Sequence, residues 1–274
     1  MSGVLEFTIL GCGSSGGVPR ADGAWGVCDP DEPMNRRTRC SLLVRRKGEG
    51  AKGIEEGQET TVVVDTSPDF REQAIAAGVK RLDAVLFSHD HADQAHGIDD
   101  VRAFFLRQRA RIPAWMDAAT RDSLLRRFHY IFENTGGYPA ILESMDLPAH
   151  GADWSVDGPS GAIPVSSFDQ EHGDIRCVGY RFGGLAYSPD VNGMPEASFA
   201  ALRDLDVWIV DALRHTPHPT HAHLGQTLEW IERVKPRRAI LTNMHIDMDY
   251  NSLLAQLPAG VEPAYDGMVI EAAI

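Results

Sequence analysis

Apolar runs that stop abruptly at histidine or aspartate constrain this chain more than any other feature. The run AVLF (84–87) ends at Ser88, and three histidines and four aspartates crowd into SHDHADQAHGIDD (88–100). The same punctuation recurs further on. His172 follows AIPVSSF (162–168), Asp190 follows LAYS (185–188), Asp211 closes DVWIVD (206–211), and His245 follows RAILTN (238–243). Short, continuously apolar runs of this kind read as strands buried on both faces. A sheet gathers strand ends along one edge and leaves the strand centres in the core. Five strand ends carrying His or Asp therefore predict a polar cluster on one edge of an apolar scaffold.

The residue types fit a metal site. Neutral imidazole nitrogens and carboxylates ligate zinc at about 2.0–2.2 Å. A carboxylate that reaches two ions suits a pair about 3.5–4 Å apart, and such a pair brings the pKa of bound water to about 7. His89, His91, Asp93, His172 and Asp190 are the candidate ligands. Gln94 stands where a further ligand is expected.

Composition narrows the class. The 274 residues are 43% hydrophobic, enough for a large core. No apolar run reaches the length of about 20 residues that crosses a bilayer, and MSGVLEFTIL has no basic n-region or small-residue cleavage site. Cys12, Cys28, Cys40 and Cys177 are scattered, with no disulfide framework or zinc-ribbon spacing, which fits a reducing cytoplasm. The net charge of −13 argues against a protein that grips nucleic-acid backbones, although NRRTR and LRQRARIP are local basic patches. A metal would still supply local positive charge for a small anionic substrate.

Further strands are expected at 5–10, 40–44, 60–65, 82–88 and 178–182. Helices are expected after Ser67-Pro68 as far as Gly78, over 117–133, and over 223–234 before Pro236. Residues 45–59, polar and glycine-rich, read as a surface hairpin. GCGSSGG (11–17) matches the dinucleotide fingerprint, but Val18-Pro19-Arg20 follow and no helix starts, so a nucleotide-binding turn is rejected. Its glycines are expected to let the backbone approach the metal centre or a substrate. Cys40 reads as a core residue.

These residues resemble the metallo-β-lactamase superfamily over nearly the whole chain. HDHAD matches its HxHxDH motif, His172 its third-motif histidine, Asp190 its bridging aspartate and ILTNMH its terminal motif. GCGSSGGVP, PMNRRTRCSLLV and AYDGM are similar to the phosphoribosyl cyclic phosphodiesterase group of phosphonate degradation. AYDGM also resembles pyrroloquinoline-quinone biosynthesis protein B. The resemblance implies an α/β fold, an αββα sandwich forming one domain over residues 1–274, with metals at the C-terminal edge of its strands.

It also implies roles for particular residues. His89, His91 and His172 would hold one metal ion and Asp190 would bridge. Asp93, Asp190 and the positions of Gln94 and Asn243 would hold a second, with His245 as the substitute for a histidine absent at Asn243. Amide oxygens and carboxylates there shift the preference from zinc toward manganese or magnesium. The group's structural zinc site retains only Cys28, and its late histidine reads Ile246, so none is expected. His221 matches a phosphate-contacting histidine. His223, at the helix start, is a second candidate for substrate binding. Asp211 is either a ligand or a group that orients one.

The expected function is metal-dependent hydrolysis of a small phosphodiester, a cyclic ribose or nucleotide phosphate. One or two zinc or manganese ions, Asp93 and His221 would serve catalysis, in a cytoplasmic protein that pairs as a homodimer. The alternatives are a tRNA 3′-processing-type endonuclease, a non-catalytic metal or nucleotide binder, and a thioesterase or lactonase.

Overall fold

A computed structural model describes residues 4–48 and 58–274. Most of the expected hairpin at 45–59 lies outside the described residues. Two seven-stranded sheets form the body. The first comprises β1 (Val4–Gly11), β2 (Ser41–Arg46), β3 (Thr60–Val64), β4 (Ala84–Leu86), β5 (Ile112–Met116), β6 (Leu142–Asp146) and, beside β1, the last strand of the chain, β14 (Val269–Ala273). The second comprises β7 (Trp154–Val156), β8 (Ile163–His172), β9 (Ile175–Phe182), β10 (Leu185–Ser188), β11 (Val207–Asp211), β12 (Arg238–Thr242) and β13 (Val261–Pro263).

Alternation along the strands explains the layers. In β2, Leu42 and Val44 face the second sheet, where they join Val178, Tyr180, Phe182 and Ile209 in the central core. Leu43 points the other way and packs with Phe70, Val85, Phe87 and Phe104 under the helices Phe70–Ala76 and Arg102–Gln108. Leu228 and Ile231 of the helix Leu224–Val234 pack against the central core cluster. Helices therefore flank a pair of sheets, the αββα sandwich that the resemblance implies. Among the described residues no helix is long and apolar enough to cross a membrane.

Parallel pairing sets the edge. β3 and β4 run parallel, as do β10, β11 and β12, so their C-terminal ends open toward the same side. Two contacts stitch the sheets together there: Val178 N donates to Ser88 O (2.8 Å), and the Tyr180 hydroxyl donates to Phe87 O (2.8 Å).

Several expectations are corrected. Strand 82–88 is only Ala84–Leu86, because Leu82 and Asp83 are spent on contacts with Gln108 and Thr61. The helix expected over 117–133 breaks at Phe128 (φ −130°) into Ala118–Arg127 and His129–Phe132. The helix after Ser67-Pro68 starts at Phe70, with the Ser67 hydroxyl accepting from Asp69 N (3.1 Å). The glycine-rich turn lies close against its own chain: a Cβ on Gly11 would sit 2.1 Å from Arg39 O. Asp266, in AYDGM, braces this contact by accepting from Cys12 N (3.1 Å), Thr38 N (2.7 Å) and the Thr38 hydroxyl (2.6 Å).

Candidate metal centre

β4 delivers His89, and His91 starts the short helix Ala92–Ala95 that carries Asp93 and Gln94. β8 ends on His172, β10 leads to Asp190, β11 ends on Asp211, and β12 leads to Asn243. One donor atom from each of His89, His91 and His172 lies within 4.8 Å of the others. His91 Nδ1 and His172 Nε2 stand 3.1 Å apart, and Asp190 Oδ2 is 3.7 Å from both His89 Nε2 and His172 Nε2. His172, Asp190 and His221 form a second such group on the same scaffold.

The His89 and His172 rings are each oriented by a partner behind them. Asp65, which follows β3, accepts from Ser88 N (2.7 Å) and from the Ser88 hydroxyl (2.7 Å). That hydroxyl lies 3.0 Å from His89 Nδ1. The relay aims His89 Nε2 into the cluster, where it is buried with no hydrogen-bond partner. His172 Nδ1 meets Thr220 O at 2.6 Å, which turns its Nε2 inward. Arg127 binds the backbone oxygen and carboxylate of Asp90, clamping the loop between His89 and His91.

The electrostatics suit a cation. Burial holds His89 well below the usual imidazole range. Burial, with the neighbouring His221, pushes His172 down to about 3. Both rings are therefore neutral, with lone pairs to offer. Burial also drives the Asp190 carboxyl well above its ordinary value, a cost that an adjacent cation offsets. The orphaned His89 nitrogen, two converging imidazoles and a buried carboxylate fit one divalent ion.

The other expected residues are placed as follows. Asp93 is half-buried on its short helix, and its negative charge acts on Asp190. Gln94 is fully buried, with Nε2 3.1 Å from Asp190 Oδ1 and Oε1 buried without a partner. His221 Nδ1 bonds Asp211 Oδ2 at 2.9 Å, and its ring centroid is 4.6 Å from that of His172. Burial opposes charge on His221, but Asp211 and Asp190 outweigh it and lift the ring to about 9. His223 caps the helix Leu224–Val234, its Nδ1 accepting from Gln226 N, so that nitrogen is not free for a substrate.

His245 is not part of the cluster. It bonds Arg20 through Nε2 and lies 2.9 Å from Asp247 through Nδ1. Asn243 holds the cluster side, with Nδ2 3.4 Å from Asp190 Oδ1 and 3.0 Å from His221 Nδ1. Cys28 and Ile246 pack with Val18 and Trp25 in a small apolar cluster, and Cys40 is fully buried. Sequence reasoning missed Asp65, Ser88, Thr220 and Arg127. Asp65 carried a usable signal, since it closes TTVVVD just as Asp211 closes DVWIVD.

The model of the Beta-lactamase superfamily domain matches residues 60–246. The chain belongs to the metallo-β-lactamase superfamily. Within it, a diphosphatase of the PhnP family is 33% identical, covers 100% of this chain and 99% of its own, and superposes with a TM-score of 0.83. An octanoyltransferase of Porphyromonas gingivalis is 29% identical over 272 residues, which are 96% of this chain and 51% of that protein. The chain thus spans about half the length of that curated relative. Zinc-bound PqqB from Methylobacterium extorquens shares the fold, with 17% identity, a TM-score of 0.69 and coverage of 97% and 99%.

Proposed function

We propose that this chain is a metal-dependent hydrolase of a small phosphodiester, a cyclic phosphate on a ribose or nucleotide. His89, His91, His172 and Asp190 would hold zinc or manganese, and the three imidazoles favour zinc. The observation that carries the reading is His221. A donor cluster alone suits many hydrolases, but a histidine held by a buried carboxylate beside that cluster suits one whose leaving oxygen needs a proton.

When bound, a divalent ion would neutralise developing charge on the phosphate and make water easier to ionise. The chain's own residues do the rest. The Asp211 carboxylate fixes the His221 ring and keeps it cationic near neutral pH, ready to protonate the leaving oxygen. Asp93, at the start of its helix, orients the attacking water.

The His218 ring lies 5.2 Å from that of His221, and burial with the neighbouring His221 holds it below the usual imidazole range. On a chain of net charge −13, attraction of an anion is left to His221 and a bound ion, local to the site. Likeness to a PhnP-family diphosphatase supports phosphoester chemistry.

The test is a substrate panel with the metal-loaded protein: a bis-nitrophenyl phosphodiester, a ribose cyclic phosphate, a thioester and a lactone. Both phosphodiesters should turn over, the cyclic phosphate with the higher kcat/KM. Faster turnover of the thioester or lactone would overturn the assignment.

A further inference from the structure

We propose that Asn192 is a positioning residue: its amide ties the loop that carries His221 to the turn that follows His172, and so sets where His221 stands beside the cluster. The inference rests on the hydrolase reading above and names the residue that holds its proton donor in place.

Three loops meet at Asn192. Its side-chain oxygen accepts from Gly173 N (3.1 Å), and its Nδ2 donates to Pro219 O (2.7 Å), two residues before His221. Both partners are backbone groups of fixed role, one an N–H and one a carbonyl, so the amide has one orientation that satisfies them. The backbone of Asn192 is anchored as well. Its N donates to Glu171 O (2.8 Å), and its O accepts from Gln226 Nε2 (2.9 Å). The preceding Val191 N donates to Asp211 Oδ2 (3.1 Å), the oxygen that also holds His221.

The gripped segment serves both histidines. Thr220 O meets His172 Nδ1 at 2.6 Å, and His221 follows directly. The two segments lie in contact, since a Cβ on Gly173 would sit 2.5 Å from Thr220 Cγ2. Residues 215–220 are neither helix nor strand, and Pro217 and Pro219 have no N–H to donate. Arg214 holds Thr216 O (3.1 Å) and Pro217 O (2.7 Å), further from His221 in sequence. Asn192 grips the carbonyl nearer to it.

The experiment compares Asn192→Ala and Asn192→Asp with wild type as zinc-loaded full chains. The aspartate keeps an acceptor for Gly173 N but sets an oxygen against Pro219 O. On a diester with an alkoxide leaving group, kcat should fall about 10–10²-fold, the cost of a misplaced group. On a nitrophenyl diester, which needs little protonation, it should fall far less, with KM near wild type on both. A merely structural role would lower both rates alike. The second readout needs no turnover: the NMR signal of the proton between His221 Nδ1 and Asp211, assigned by its loss in His221→Ala, should exchange with solvent at least tenfold faster in both variants. Either variant serves if the other does not fold. Equal losses on the two diesters, or unchanged exchange, would overturn the proposal. A wild-type chain that turns over neither diester would overturn the hydrolase reading instead, and the exchange rate would still decide whether Asn192 holds His221.

Discussion

Ser88 has no lone pair in the metal cluster, yet Ser88→Ala should weaken metal binding more than any substitution at the site's rim. Its hydroxyl is the middle of a relay, donating to Asp65 Oδ2 at 2.7 Å and standing 3.0 Å from His89 Nδ1. Without it, His89 loses the partner that fixes its tautomer and ring angle. The nearest substitute is Cys177 Sγ at 3.8 Å, a weak acceptor. Removing an outer partner of a ligand histidine typically costs 10–100-fold in metal affinity, or about 1.4–2.7 kcal/mol. The metal-free protein suffers separately. Asp65 is fully buried, and its Oδ2 would lose a donor at a cost of about 1–3 kcal/mol. At this size each kcal/mol lowers Tm by about 2–4 °C. Two measurements separate the terms. Competition with a chromogenic chelator gives Kd, and melts with and without metal give the gain on binding, which should shrink by the same 1.4–2.7 kcal/mol or so. A Kd within about twofold of wild type would refute the relay, since a tenfold loss is the least it predicts.

Three further outcomes are expected. His221→Ala should lower kcat by about 10²–10⁴ on a diester with an alkoxide leaving group and far less on a nitrophenyl diester, with metal content unchanged; equal losses on both would assign His221 to phosphate positioning. Gly97→Ala should cost about 1–3 kcal/mol in thermal unfolding, because its Cβ would lie 2.0 Å from Ser67 O behind the helix that carries Asp93; an unchanged melt would show that the loop yields freely. Burial pushes Asp266 up to about 6 despite its hydrogen bonds from Thr38 and Cys12, so the stability it contributes is full below about pH 4 and lost as pH rises through 6. Asp266→Asn should remove that part of the pH dependence, about 3 kcal/mol between pH 4 and 7 by denaturant unfolding; parallel wild-type and variant curves would contradict it.

The strands that sequence reading recovered are those with an apolar residue on each face. β3 (TTVVV) and β11 (VWIVD) are buried along their whole length, and the hydrophobic run marks them directly. Sequence reading missed β5 (IPAWM), which pairs on both sides but whose run is broken by Pro113, and otherwise the missed strands lie at the sheet margins. β6 is mostly exposed, β13 contains a proline, and β14 alternates on the outer flank of β1 with alanines for packing. Such strands hold their place by backbone pairing with a neighbour. Side-chain pattern carries little of that information.

The site was legible up to the point where a strand ends, and unreliable just beyond it. His172 closes its strand, His89 and Asp190 follow theirs by no more than a few residues, and the sheet aims them together. After β12 the next residue, Asn243, adopts a left-handed conformation that reverses the chain. Met244 is then captured by Cys12 and Ser14 of the opening turn, a contact between opposite ends of the sequence. That capture sends His245 outward to Arg20 and leaves Asn243 facing Asp190. Counting residues past a strand cannot separate these two positions, because the deciding contact belongs to another part of the chain. The glycine-rich opening is that part. Gly11 and Gly13 let the turn lie close against residues 37–39, and the turn in turn fixes which side chain of the terminal motif reaches the cluster. The motif that looked like a ligand-binding loop therefore acts on the metal centre at one remove, by selecting an amide where the spacing alone would allow a histidine.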